Sequence, residues 1–271
     1  MKTHLIETSH GSIKVTDTEA DGPIVLMIHG NSSCRQVFRN QLDGAIGQEF
    51  RVIAFDLPGH GESTDAVDPE KTYWMPGYAD TAIELMEKLG IDRYAVLGWS
   101  LGGHIGIEML SRTDKISGLM ITGSPPFEKT QESVEAGFRP SEHMHLAGQN
   151  SFTQQDVLDY AHSTCGANAP FEPFLVDCVK RTDGRARELM FGRITDAQTA
   201  DQQDIAVHSP VPLAIVNGED DVFVRNDFIA ALPYKKLWEN TVYRLDGIGH
   251  APFWEAPDLF DPFLRRFLTS L

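Results

Sequence analysis

The chain has 271 residues, 41% hydrophobic and 23% charged, with a formal net charge of −16. That length and composition suit one α/β domain carrying an insertion, or two small domains. The negative charge argues against nucleic acid or an anionic membrane surface as partners, and no apolar run approaches the length of a membrane span. Cys34, Cys165 and Cys178 are too few and too scattered for a disulfide framework, so small buried side chains in a reducing compartment are expected. The first seven residues lack the apolar stretch of a signal peptide, and the chain reads as cytoplasmic.

Leu5 to Glu7 and Ser12 to Thr16 alternate apolar and polar side chains around His10-Gly11, which predicts a hairpin of two edge strands. Pro23 to Ile28 and Arg51 to Phe55 are nearly continuous apolar runs, as in strands covered on both faces. Between them, Gln36 to Ile46 is predicted as a helix. The spacing of Ala82, Leu85, Met86 and Leu89 predicts a helix over Tyr78 to Leu89, stopped by Gly90. A strand over Tyr94 to Leu97 runs into Gly98-Trp99-Ser100-Leu101-Gly102, and a helix follows to about Ser111. Ile116 to Thr122 is another buried strand. This alternation predicts a mostly parallel sheet with right-handed crossovers. The rhythm stops at Ser124-Pro125-Pro126. From there to about Ser209 strand-like runs are scarce, and helices are predicted near Thr153 to Ser163, Pro173 to Val179 and Arg185 to Phe191. The expected organisation is a core of 1–124 and 210–271 with 125–209 inserted as a helical cap. Strands resume over Pro212 to Gly218 and Thr241 to Leu245, and a helix over Pro257 to Leu268 closes the chain.

Gly98 to Gly102 matches G-x-S-x-G between a strand and a helix. A serine at so sharp a turn holds a strained backbone, with its hydroxyl clear of the sheet, and the flanking glycines let strand and helix approach. Such a nucleophile needs a base, and the base needs an orienting carboxylate. Beyond Gly218 the only histidine is His250, directly after the last strand. The acid belongs in Glu219-Asp220-Asp221, where spacing favours Asp221, then Asp220, then Glu219. Oxyanion donors are expected from the N–H of Leu101 and from Asn31, in the loop after Pro23 to Ile28. Ser32 and Ser33 read equally as loop supports or helix caps. His29 and His60 border glycine turns, and Gly59-His60-Gly61 reads as a structural turn. His104 is expected to pack behind the elbow. His143-Met144-His145 begins like a metal site, but Leu146-Ala147-Gly148 follows, so neither metal nor other cofactor is expected.

Together these residues resemble the α/β-hydrolase superfamily over essentially the whole chain. A narrower resemblance, to its metal-independent N-acyl-homoserine lactonases, rests on residues 29–33, 59–65, 98–109, 161–166, 182–187 and 249–253. The cap stretches are the more specific, because caps vary most among these enzymes. The resemblance implies an α/β-hydrolase fold: a mostly parallel eight-stranded sheet flanked by helices, with a helical lid after the sixth strand. It implies opening of a lactone ring by Ser100 as nucleophile and His250 as base, with Asn31 and Leu101 as oxyanion donors. Tyr160 matches a tyrosine that contacts the acyl amide of the substrate, and Trp99 joins it in the expected substrate-binding set. One departure stands out. The family pattern has Glu followed by Pro where this chain has Asp221-Val222, so the shorter carboxylate requires its loop to sit closer to His250. The expected partner is a small lactone or ester, bound by a monomer or homodimer. Competing readings are a serine esterase with another substrate, a carbon–carbon hydrolase or perhydrolase, and a non-catalytic receptor on a hydrolase scaffold. Dehalogenases and epoxide hydrolases need Asp where Ser100 stands.

Overall fold

Eight strands, β1 (Lys2–Thr8), β2 (Gly11–Asp17), β3 (Ile24–Ile28), β4 (Arg51–Phe55), β5 (Tyr94–Trp99), β6 (Ile116–Thr122), β7 (Leu213–Gly218) and β8 (Leu237–Leu245), form one sheet in the order β1-β2-β4-β3-β5-β6-β7-β8. This is a computed structural model, and it describes residues 1–166, 169 and 171–271. Residues 167, 168 and 170 of the expected cap lie outside the described residues. β3 to β8 run parallel, while β1–β2 and β2–β4 pair antiparallel. The hairpin therefore supplies one edge strand rather than two, because β2 is covered on its far side by β4.

The continuous apolar runs are explained by two cores. Successive residues of a strand face opposite ways. Leu26, Ile28, Ile53 and Val96 enter one core, while Val25, Met27, Val52 and Leu97 enter the other. Helices α1 (Arg39–Asp43), α2 (Ala45–Glu49), α3 (Pro69–Thr72), α4 (Met75–Lys88) and α5 (Leu101–Leu110) link the first six strands. The single helix expected over Gln36 to Ile46 is instead a 3₁₀ turn (Arg35–Phe38) followed by α1 and α2. Gly44 breaks it: its backbone is extended, and a Cβ there would lie 2.4 Å from the Asn40 carbonyl.

Between β6 and β7 come α6 (Gln131–Gly137), a 3₁₀ turn (Met144–Gly148), α7 (Gln154–Thr164), α8 (Pro173–Arg181), α9 (Gly184–Gly192) and α10 (Gln202–Val207). Among the described residues of that stretch the extended pairing is one isolated bridge, Phe138 to Val224. A capping box of Thr153 and Asp156 starts α7, and Asp183 caps α9. After β7 follow α11 (Asn226–Ala231), and after β8 follow α12 (Pro252–Glu255) and α13 (Pro257–Thr269). β8 begins four residues earlier than its alternation predicts, because Glu239 and Asn240 take left-handed backbones and the register against β7 shifts there. Among the described residues no helix is long and apolar enough to cross a membrane.

Candidate active site

The C-terminal ends of β3, β5, β7 and β8 converge on one edge of the sheet, where loops of parallel α/β folds carry chemistry. Ser100, between β5 and α5, has φ 53° and ψ −119°, a strained conformation for any residue but glycine. Its surroundings hold it there. Ser100 N–H donates to the Thr122 carbonyl at 2.9 Å, and its own carbonyl accepts from Gly103 N–H at 2.9 Å and Ser124 Oγ at 2.8 Å. The two glycines of the motif are required by contact. A Cβ on Gly98 would stand 2.3 Å from the Gly102 carbonyl oxygen, and one on Gly102 would stand 2.0 Å from that of Ile28. Leu101 is the first residue of α5, so its N–H has no intrahelical acceptor and points where the helix dipole favours negative charge.

His250 and Asp221 meet. His250 Nδ1 lies 2.7 Å from Asp221 Oδ2, and both side chains are buried. The other carboxylate oxygen accepts from Phe223 N–H at 2.8 Å and Val224 N–H at 3.2 Å. A carboxylate with only acceptors to offer keeps the proton on Nδ1, which leaves Nε2 as the basic nitrogen. Space for the imidazole comes from Gly123, where a Cβ would lie 2.7 Å from His250 Cε1. The rival acids point elsewhere: Asp220 is exposed, and Glu219 sits 3.6 Å from Arg244. The shorter aspartate thus reaches the histidine without a glutamate's extra methylene.

A cavity of about 450 Å³ opens over Ser100, Leu101, Asn31 and His250. Its walls are largely apolar: Met75, Val134, Phe138, Met144, Met190, Phe191, Ile194 and Phe223. Tyr160 also faces it, and its hydroxyl accepts from Asn31 Nδ2 at 3.2 Å. Burial pushes the Tyr160 hydroxyl above the usual tyrosine range, so it stays protonated. Trp99 is not among the lining residues. It lies buried beneath, donating Nε1–H to the His250 carbonyl at 2.9 Å and packing on the imidazole. A second cavity, of about 430 Å³, also reaches His250 and Phe223 and is lined by His143, His162 and Asp220 among others.

Sequence reasoning missed three features. His104 packs in α5 as expected, but it also lines the larger cavity. Burial pulls its pKa down to about 4, and Nδ1 sits 2.6 Å from Gln202 Oε1. Arg187 is buried on α9. Cys34 and Cys178, though far apart in sequence, bring their sulfurs within 2.7 Å. All three cysteines are free and buried. Neither Ser32 nor Ser33 caps the following 3₁₀ turn, whose cap position is Cys34. Among the described residues no group of three or more His, Cys, Asp or Glu side chains is arranged to hold a metal ion, the 143–145 stretch included.

Residues 23–144 match the α/β hydrolase fold family model. The chain superposes on the N-acyl homoserine lactonase AidH, solved with N-butanoyl homoserine, with a TM-score of 0.96 and 50% identity over 100% of this chain and 98% of that one. An AidH variant solved with N-hexanoyl homoserine lactone matches equally well, over the full length of both chains. More distant is the 2-hydroxy-6-oxononadienedioate/2-hydroxy-6-oxononatrienedioate hydrolase of Pseudomonas sp, 26% identical over 96% of this chain and 93% of its own length. The pimeloyl-[acyl-carrier protein] methyl ester esterase of Nitrosomonas europaea is 25% identical over 90% of this chain and 95% of its own.

Proposed function

The chain belongs to the α/β-hydrolase superfamily and is an ester-hydrolysing enzyme, and from that premise we propose that it opens the lactone ring of N-acyl-homoserine lactones through a Ser100–His250–Asp221 triad. The observation that carries the substrate class is the 50% identity to AidH over the full length of both chains. In this reading residues 125–209 form the lid, and silencing of acyl-homoserine-lactone signals is the biological outcome. The buried free thiols support a reducing, cytoplasmic setting.

Ser100 Oγ attacks the lactone carbonyl while His250 Nε2 takes its proton. The N–H groups of Asn31 and Leu101 hold the oxyanion. Asp221 keeps the imidazole oriented and stabilises its charged form. Collapse breaks the ring C–O bond, and His250 returns the proton to the leaving alkoxide. That alcohol stays tethered to the acyl-enzyme, so reclosure competes with hydrolysis until a water beside His250 attacks. Tyr160 meets the acyl amide, and the apolar walls take the acyl chain. The test is product analysis by mass spectrometry. The expected product is the N-acyl-homoserine, heavier than substrate by one water, and acidification should re-form the lactone. Free fatty acid with homoserine lactone would mean an acylase. Turnover of simple esters alone would leave a carboxylesterase.

A further inference from the structure

Arg187, on α9, does not line the cavity, yet it is only 3% exposed. Its hydrogen bonds all go to neutral oxygens. Nε donates to the Gln149 carbonyl at 2.8 Å, Nη2 to the Asn150 carbonyl at 3.0 Å, and Nη1 to Ser32 Oγ at 3.2 Å. The guanidinium carbon lies 4.0 Å from the centre of the Phe152 ring. Asp183, four positions earlier, is engaged with Tyr73 and Arg185 instead. Among the described residues no carboxylate hydrogen-bonds this buried cation, which is costly; burial pulls its pKa below the usual arginine range, and the nearby charge of Asp183 offsets only part of that. It stays charged, since arginine does not deprotonate in proteins.

The direction of the bonds beyond it follows from chemistry. A guanidinium can only donate. Ser32 Oγ must therefore accept from Arg187, which sends its own proton to Asn31 Oδ1, 3.2 Å away. With its oxygen so engaged, the Asn31 carboxamide turns its NH₂ outward, to the Ala147 carbonyl at 2.9 Å and to Tyr160 at 3.2 Å. Tyr160 accepts there, so its hydroxyl proton is free to face the cavity. Ser32 is held for this at φ 56°, a strained backbone.

We propose that Arg187 is a positioning residue whose charge, relayed through Ser32 and Asn31, makes Tyr160 a hydrogen-bond donor toward the acyl amide of the substrate. The proposal rests on the reaction described above, but its test does not need a lactone. Two nitrophenyl esters serve, one of N-hexanoylglycine and one of nonanoic acid, which differ in having or lacking the amide. Ser32→Ala and Tyr160→Phe should each lower kcat/KM for the amide ester about tenfold, one hydrogen bond's worth, and for the plain ester under about threefold. The double variant should be no worse than Tyr160→Phe alone. Arg187→Lys should fall between wild type and Arg187→Met, because an ammonium keeps the charge without the fork. Ser32→Ala carries the test should Arg187→Met fail to fold, with melting temperature measured alongside. Effects of Ser32→Ala and Tyr160→Phe that multiply, or equal losses on the two esters, would overturn the relay. Wild-type enzyme that cleaves both esters but no lactone would overturn the substrate reading alone.

Discussion

Ser100, Asp221 and His250 come from the ends of three parallel strands, whereas Tyr160, Met190 and Phe191 come from short helices of the cap. The two regions differ in how they are held. β5 and β7 are buried on both faces, β8 is the half-exposed edge strand, and ladder hydrogen bonds lock all three, so their ends are fixed to within the tolerance that proton transfer needs. The helices between β6 and β7 are half-exposed, and side chains such as Arg187 tie them to the core. The polar floor of the cavity therefore belongs to the sheet, and most of its apolar wall belongs to the cap. On the proposed reaction, the difference assigns rate to one region and substrate choice to the other. Variants that separate these two quantities test that division.

The largest effect is expected at the elbow. Ser100→Ala and His250→Ala should each lower kcat/KM by at least about 10⁴-fold, and equally for lactones and simple esters. Circular dichroism and melting temperature should stay near wild type. A loss that depended on the acyl chain would move substrate choice into the core and break the division. Next comes the acid. Asp221→Asn should cost on the order of 10³–10⁴-fold in kcat, because an amide cannot stabilise the imidazolium and orients the wrong tautomer. Asp220→Asn, at an exposed position, should change kcat less than about twofold. The opposite ranking, read from steady-state kinetics, would reassign the acid.

The same contrast explains what could be read from sequence. β4 and β6 have the predicted limits, because a strand covered on both faces is written as an uninterrupted apolar run. Ser100 was legible since it sits directly after such a run, His250 because it is the only histidine beyond Gly218, and the choice of Asp221 over Asp220 followed the spacing that the 2.7 Å contact reflects. α6 and α10, at seven and six residues, are too short to show a period, and sequence reading left them as loops. Arg187 was beyond reach for another reason. Its meaning lies in bonds to Ser32, Gln149 and Asn150, and no local pattern encodes a partner 155 residues away.

A third prediction concerns pH and the core. Burial lowers the pKa of His29, His60 and His104, the last to about 4. Depressed folded values mean that the unfolded chain binds more protons below pH 6.5. Stability from these groups is present above that pH and is lost as pH falls toward 4. For His104 alone the loss is about 3 kcal/mol at about 1.4 kcal/mol per unit. Because the three residues belong to the core, urea midpoints followed by tryptophan fluorescence should drop between pH 7 and 4.5. Trp74 packs against Arg193 and Trp254 against Phe174, both from the stretch between β6 and β7, so a Trp74→Phe/Trp254→Phe background, which keeps Trp99 and Trp238, makes that signal report the core. A core midpoint that held steady while cap contacts loosened would place the acid-sensitive element in the wrong region.

The smallest effect is the most direct test of the cap. If Met144, Met190, Phe191 and Ile194 form the wall against which an acyl chain packs, each added methylene contributes about 0.8 kcal/mol, or about fourfold in affinity, until the space is full. From butanoyl upward, KM should fall by that factor per carbon while kcat stays level, since the reacting groups are held by the sheet. The series should then stop improving, because a cavity of about 450 Å³ must also hold the lactone ring and amide. Met190→Ala removes part of the wall. It should weaken binding of the chains that now fit best and move the optimum longer by roughly two methylenes, at a cost in stability on the order of 2–3 kcal/mol. The kcat for the shortest substrate should not change. Chain-length dependence that appeared in kcat, or an optimum indifferent to Met190→Ala, would mean that the acyl chain does not lie against the cap, and the cavity would have to be divided along another line.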